Sequence, residues 1–269
     1  MFEAPLFVKL GGSILTDKTR PEAVNRAALH GIATVVADWV REAGAAPLLI
    51  AHGGGSFGHY WADRYGTQHG VTDATGWQGF ARVTDAMGRL NRIVVQALLA
   101  AGISAVGLQP VSSALAAHGS LQHFDVATIE RMLRVGLVPV LCGDAVLDQQ
   151  QGAAIVSTEA LFAFLAPRLQ PKRIVLLGEA GVFTADPRRD AGAVRIPLIT
   201  TTNIEDVLAQ VGASHGVDVT GGMATKVQAM WQLVQRVPGL EVQLVGTEPA
   251  VVRGVLRGET VAEGTIIRG

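Results

Sequence analysis

Cysteine is almost absent from this 269-residue chain. Cys142 stands alone, which excludes an intrachain disulfide and suits a reducing compartment. It lies in the apolar run 137–142, where a small core residue is the plain reading. Excess charge of either sign is also missing. Lys and Arg number 22 against 23 Asp and Glu, a formal balance of −1, so nothing points to a nucleic-acid partner. Uninterrupted apolar runs are missing too. The longest, 93–108, is broken by Gln96, Gly102, Ser104 and Gly107 and reads as a helix followed by a strand, not a membrane span. Residues 1–10 lack a basic segment leading into a long apolar one. No signal peptide is expected, and a cytoplasmic protein with no membrane partner is the default. No repeat at solenoid spacing and no low-complexity tract is found.

What is present suits a large core. Apolar residues make up 49% of the chain and charged residues 17%, enough for one large α/β domain or two lobes sharing a sheet. Short apolar runs at 6–10, 47–51, 103–108, 137–142, 173–177, 241–246 and 265–268 read as strands. Helical periodicity covers 23–43, 57–65, 80–101, 126–135, 158–165, 202–210 and 223–236. Asp125 is placed to cap the fourth of these helices and Gly136 to end it. Pro167 is expected to close the fifth, with 167–171 as a candidate hinge. Residues 146–147 and 153–156 can pair as a hairpin, and the polar stretch 66–79 reads as a surface flap. The mostly alternating order predicts a parallel sheet with helices on both faces.

One stretch organises the rest: His52-Gly53-Gly54-Gly55-Ser56-Phe57-Gly58-His59, directly after an apolar strand. Gly53, Gly55 and Gly58 fit the dinucleotide pattern G-x-G-x-x-G. That reading wants an acidic residue ending a second strand, and Asp73 has the spacing but no strand before it. Gly54, Ser56 and Gly58 fit the hydrolase elbow G-x-S-x-G, with His215 and Asp218 as conceivable partners; this leaves the other glycine clusters unexplained. The third reading is an anion cradle, made of a glycine turn and the free N–H groups of a helix start, with an imidazole beside it.

Two further glycine clusters sit near cations: Lys9 with Gly11-Gly12, and Lys226 with Gly221-Gly222. Lys18 adds another positive charge, and the P-loop pattern G-x-x-x-x-G-K-[ST] is absent. Phosphoryl transfer needs such groups around oxygens whose charge is spread in the transition state, and little covalent chemistry. The plainer alternative is that the lysines are solvated and the glycines only make turns. The helix 80–101 carries Phe80, Val83 and Met87 on one stripe, which is either core or the wall of an apolar pocket beside the anion site.

Lys9-Leu10-Gly11-Gly12-Ser13, Lys18, the His52–His59 stretch, Gly143-Asp144, and Asp218-Val219-Thr220-Gly221-Gly222-Met223 with Lys226 together resemble the amino acid kinase superfamily. Within it they look most like the isopentenyl phosphate kinases, with the fosfomycin kinases as runner-up. The resemblance implies an open αβα sandwich around a mostly parallel sheet. It implies a lobe over about 1–170 for a phosphate acceptor, isopentenyl phosphate, and one over about 171–269 for ATP with Mg²⁺. ATP contacts are implied for Lys9, Leu10, Gly11, Gly12, Ser13, Gly55, Gly178, Gly222 and Lys226. Acceptor contacts are implied for Gly54, Gly55, His59 and Thr158. Lys9, Lys18, His59 and Lys226 carry the catalytic expectation, no protein metal ligand is expected, and a homodimer is implied. Two departures stand out. Relatives commonly have Ser-Gly-Asp where this chain has Ser157-Thr158-Glu159, and an acidic D-x-D-G turn where it has Gly178-Glu179-Ala180-Gly181. They keep open a phosphonate or other small monophosphate as acceptor, or a nucleotide-binding module without turnover.

Overall fold

The strand β1 (Leu6–Leu10) is followed by one helical turn, α1 (Gly12–Leu15), and by α2 (Arg26–Ala43), β2 (Leu48–His52), α3 (Gly55–Tyr65), α4 (Ala74–Ala100) and β3 (Ala105–Leu108). Then come β4 (Leu115–Ala117), β5 (Ser120–His123), α5 (Val126–Arg134), β6 (Val138–Cys142), β7 (Asp144–Asp148), β8 (Gly152–Val156) and α6 (Thr158–Leu169). The chain closes with β9 (Arg173–Leu177), β10 (Val182–Phe183), β11 (Arg195–Ile196), β12 (Leu198–Ile199), α7 (Ile204–Ser214), α8 (Gly222–Arg236), β13 (Glu241–Val245), α9 (Pro249–Arg257) and β14 (Thr265–Arg268). The structure is a computed structural model that describes residues 3–17, 19–43, 46–187, 189–214 and 222–269. Lys18, Gly44, His215, Asp218 and Gly221 lie outside the described residues.

Eight strands form one sheet in the order β12-β14-β13-β9-β1-β2-β6-β3, parallel throughout except between β13 and β14. A smaller sheet, β5-β4-β7-β8, contains the expected hairpin as β7 and β8. The large sheet is covered on both sides, which is why its central strands are apolar on every face. Alternation divides β1: Leu6, Val8 and Leu10 join a layer with Leu29, Val36, Leu98 and Val252 of α2, α4 and α9. Phe7 faces the opposite layer, where its ring lies 5.1 Å from that of Phe162 on α6. Lys9 shares the face of Phe7, so strand geometry alone aims it at α6 and α8. The result is an open αβα sandwich.

Four expectations need correction. Helix α4 starts at Ala74, so residues 74–79 of the supposed flap are helix. Asp73 caps it, accepting from the Gly76 N–H at 2.7 Å. Gly79 weakens the local helix signal but serves packing: a Cβ there would lie 2.3 Å from the Tyr65 Cβ, so glycine lets α3 and α4 approach. Helix α6 runs through Pro167 to Leu169, so 167–169 are helix and not hinge. The proline forgoes one bond, to the Ala163 carbonyl, but the helix continues to Leu169 and Gln170 (φ 48°) supplies the stop. Helix α3 starts at Gly55, not Phe57; α9, which Pro249 opens and Gly258 closes, and the β4–β5 pair have no counterpart among the sequence expectations.

Candidate active site

The carboxyl ends of β1, β2, β6 and β9 open onto one cleft of about 590 Å³. Strand order departs in both directions from β1, and ligands bind in the crevice at such a switch point in open α/β sheets. Lys9, Gly11, Gly12, Ser13, Gly54, Gly55, His59, Thr158, Gly178, Gly222 and Lys226 all line it. Sequence reasoning thus brought together pieces up to 217 residues apart (Lys9 to Lys226). Leu10 is the exception: its side chain is buried in the layer below the sheet, and its carbonyl accepts from the Gly53 N–H at 3.0 Å.

The floor consists of two glycine turns in backbone contact. A Cβ on Gly12 would lie 2.4 Å from the Gly55 nitrogen. Gly55 has φ 48°, and a Cβ there would lie 2.1 Å from Thr16 Oγ1. Only glycine fits at both positions. Thr16 ties the turns together, donating to the Gly12 carbonyl at 2.8 Å and accepting from the Ser56 N–H at 2.9 Å. Gly11 and Gly54 begin α1 and α3 without a side-chain cap. Helix α3 therefore presents its N-terminus to the cleft in the way that suits an anion. His52, fully buried, has its ring nitrogen Nδ1 3.1 Å from the Gly53 carbonyl. A carbonyl only accepts, so Nδ1 carries the proton, and burial lowers the imidazole to about 4, leaving it neutral.

Charge gathers above this floor. Lys9 Nζ is hydrogen-bonded and ion-paired to Glu159 Oε1, in the first turn of α6. Burial raises the Glu159 carboxyl, but the charge and hydrogen bond of Lys9, and the charge of Lys226, outweigh it and hold the group below its ordinary value. Lys226 Nζ meets Glu179 Oε1 at 2.6 Å. Cations from β1 and α8 thus converge, as the glycine–lysine pattern predicts. Glu159 stands where relatives commonly have aspartate, and it reaches Lys9. The Glu179 contact was not foreseen, because no spacing marks a turn residue as the partner of a helix 47 positions away.

Ala62, Val83, Met87 and Ile155 make the other end of the cleft apolar. Met87 packs directly beneath the cradle, its sulfur 3.1 Å from where a Gly54 Cβ would be. Val83 and Met87 are thus wall as well as core. Phe80 turns away, half-buried against Trp77 at 5.7 Å between ring centroids. Asp144 also lines the cleft, and burial pushes its carboxyl up to about 7 although the Val111 and Ala145 N–H groups donate to it. The first of the two vacant D-x-D-G positions, Gly178, has a steric reason; Ala180, the second, has no structural explanation. Gly178 has φ 110°, and a Cβ there would lie 2.7 Å from the Ile14 side chain.

Both rival readings of the glycine stretch lose their support. Asp73 is a helix cap and not the end of a strand. Ser56 is buried and does not line the cleft, so the serine of the elbow pattern is not presented as a nucleophile.

This fold and cleft define a class. Residues 5–245 match the amino acid kinase family, and the chain belongs to it. The relatives are specific. The isopentenyl phosphate kinase of Haloferax volcanii is 39% identical over 97% of this chain and 98% of its own length. That of Methanothermobacter thermautotrophicus is 33% identical over 98% and 99%. A solved structure described as "X-ray structures of isopentenyl phosphate kinase" aligns with TM-score 0.82 and 30% identity, covering 98% of this chain and 99% of that one.

Proposed function

We propose that this chain is an ATP-dependent kinase that converts isopentenyl phosphate to isopentenyl diphosphate. The observation that carries the reading is the cleft itself: Lys9, Lys226 and His59 at glycine turns, next to an apolar end walled by Ala62, Val83, Met87 and Ile155. A monophosphate with one short branched hydrocarbon tail matches that division.

The chemistry asks little of the protein beyond placement. The second pKa of a phosphate monoester is about 6, so the acceptor is already largely a dianion at neutral pH. Its oxygen attacks the γ-phosphorus, the bond to the bridging oxygen breaks, and ADP leaves with that electron pair. No general base is required. The difficulty is bringing two polyanions together, which lysines and oriented amides overcome. In this reading Gly54, Gly55, His59 and Thr158 hold the acceptor. Lys9, Gly11, Gly12, Ser13, Gly55, Gly178, Gly222 and Lys226 hold the nucleotide, with Leu10 acting through its backbone alone. Lys18 is assigned to the migrating phosphoryl group by resemblance. Residues 1–170 would form the acceptor lobe and 171–269 the nucleotide lobe.

Mg²⁺ would enter on the triphosphate, the usual way this small ion is held. Asp186 is a carboxylate lining that end of the cleft. No helix among the described residues is long and apolar enough to cross a membrane. The single buried cysteine suits the cytoplasm. A homodimer completes the reading and is checked by light scattering.

The test is a panel. Purified protein with MgATP is offered isopentenyl phosphate, dimethylallyl phosphate, a short alkyl phosphonate and a tail-less monophosphate at equal concentration. Isopentenyl diphosphate as the favoured product is expected. Faster turnover of the phosphonate, or transfer to no acceptor, would overturn the assignment.

A further inference from the structure

The two cleft lysines are both paired with carboxylates, and the two pairs are not alike. Lys9 and Glu159 keep 12% and 15% side-chain exposure, whereas Glu179, the partner of Lys226, is 40% exposed. Glu159 sits in the first turn of a helix whose N-terminal dipole favours it there. It also feels the charge of both lysines, so it has every reason to stay. Glu179 sits in the turn between β9 and β10 and can rotate into water without moving its backbone. That backbone is fixed: the Gly178 N–H donates to the Val245 carbonyl at 2.9 Å, and Gly178 itself lies against Ile14 of α1.

We propose that Glu179 is a releasable counter-ion for Lys226. In the empty protein it occupies the ammonium that nucleotide phosphates take over, and in doing so it sets how tightly MgATP binds. The exchange is one of ion pairs only, with no bond made or broken. A singly charged, half-exposed carboxylate yields to a triphosphate, while buried Glu159 remains as the fixed organiser. The proposal rests on the nucleotide assignment made above and concerns a residue that the family resemblance does not assign: Glu179 lies between the two vacant aspartate positions of the turn.

The experiment is a double-mutant cycle read by calorimetric titration of MgATP, without acceptor, into the wild type, Glu179→Gln, Lys226→Met and the double variant, at low and high salt. Losing a partly exposed pair is expected to tighten binding about two- to five-fold in Glu179→Gln. The gain should shrink as salt screens the pair, and it should vanish in the Lys226→Met background. The last arm matters, because deleting any nearby negative charge helps an incoming polyanion. Equal tightening in both backgrounds would mean a general field effect and would overturn the proposal. So would unchanged or weaker binding in Glu179→Gln. Glu179→Ala carries the same expectation and guards against a peculiarity of the amide. Because the readout is MgATP binding alone, a chain that shows this cycle yet transfers nothing to isopentenyl phosphate keeps the counter-ion and loses the acceptor assignment. A chain that binds no MgATP loses both.

Discussion

Replacing Glu159 by glutamine changes one charge and almost no volume. Lys9 keeps its place on β1 but loses the carboxylate it is bonded to, and the charge that attracts both Lys9 and Lys226 is gone. Breaking a fully buried pair costs about 3–5 kcal/mol. Both side chains here retain 12–15% exposure at the wall of a solvent-filled cleft, so the cost falls to roughly 1–3 kcal/mol after screening. For a chain of this size that lowers Tm by roughly 2–10 °C. The sign with pH follows from the depressed carboxyl. Its contribution is present above the ordinary glutamate value of 4.5 and is lost as pH falls through the lower folded value, so the variant and the wild type should converge in acid. MgATP should raise the Tm of the variant and of the wild type by similar amounts, because stabilisation by a ligand follows its affinity. Activity should part from binding: KM for ATP nearly unchanged, kcat down at least about tenfold as the two ammonium groups move apart. Thermal scanning from about pH 2 to 8 with and without MgATP, alongside steady-state kinetics, checks all of this. A variant matching the wild type in Tm at pH 7 and within twofold in kcat would refute the idea that Glu159 holds the lysines in register.

His59 is exposed, so His59→Ala should leave stability within about 0.5 kcal/mol. Loss of a charge-assisted hydrogen bond to phosphate should raise KM for the acceptor about 10- to 100-fold, with KM for ATP nearly unmoved; initial-rate kinetics on each substrate separate the two. Gly55→Ala combines a left-handed backbone, about 1 kcal/mol, with steric overlap against Thr16 and the Gly12 carbonyl, about 1–3 kcal/mol. Calorimetry should show a Tm lower by roughly 5–15 °C. Asp144→Asn tests the buried carboxyl: its pKa is raised to about 7, so the folded state keeps a proton that the unfolded chain releases near 4, and wild-type stability falls as pH rises between those values. The variant lacks that slope, so its stability relative to the wild type should improve by roughly 2–4 kcal/mol from pH 4 to 8. His52, buried neutral, titrates in both proteins and drops out of the difference. Parallel Tm curves would refute the raised carboxyl.

Legibility in the sequence followed the range of the physics. Strands β1, β9 and β14 were read to the residue because parallel strands buried on both faces are short apolar blocks with abrupt ends. The pieces around Lys9 and His59 were found because each lies where such a block stops, and in this fold those stops share one edge of the sheet; Gly222 and Lys226 belong instead to the first turn or two of α8. The start of α4 was missed for the opposite reason. Gly76 and Gly79 look like loop residues locally, and the contact that explains Gly79 is with Tyr65 on another helix. Phe80 fell on the right stripe yet turned to Trp77, since periodicity assigns a face and not a neighbour. Pro167 read as a stop because proline removes an i→i−4 bond, and what carries α6 two residues past it is the packing of buried Ala166 and Leu169.

The carboxylates of the cleft were the least legible part, and the reason bears on how the site works. A site for polyanions must hold cations before the anions arrive, and an ammonium group kept at 12% or 18% exposure is tolerated only when paired. Each lysine therefore needs a stand-in for phosphate, drawn from wherever the fold brings an acid within reach: the first turn of α6 for one and the β9–β10 turn for the other. Such partners are chosen by tertiary position, so no motif announces them. Their unequal burial then decides their fates. The enclosed carboxylate is bound to remain as scaffolding, and the half-solvated one is free to leave. Glu159→Gln should accordingly act mainly on kcat and Glu179→Gln mainly on MgATP affinity. If the two variants shifted the same parameter, the two carboxylates would be equivalent, and the division by burial would have to be abandoned.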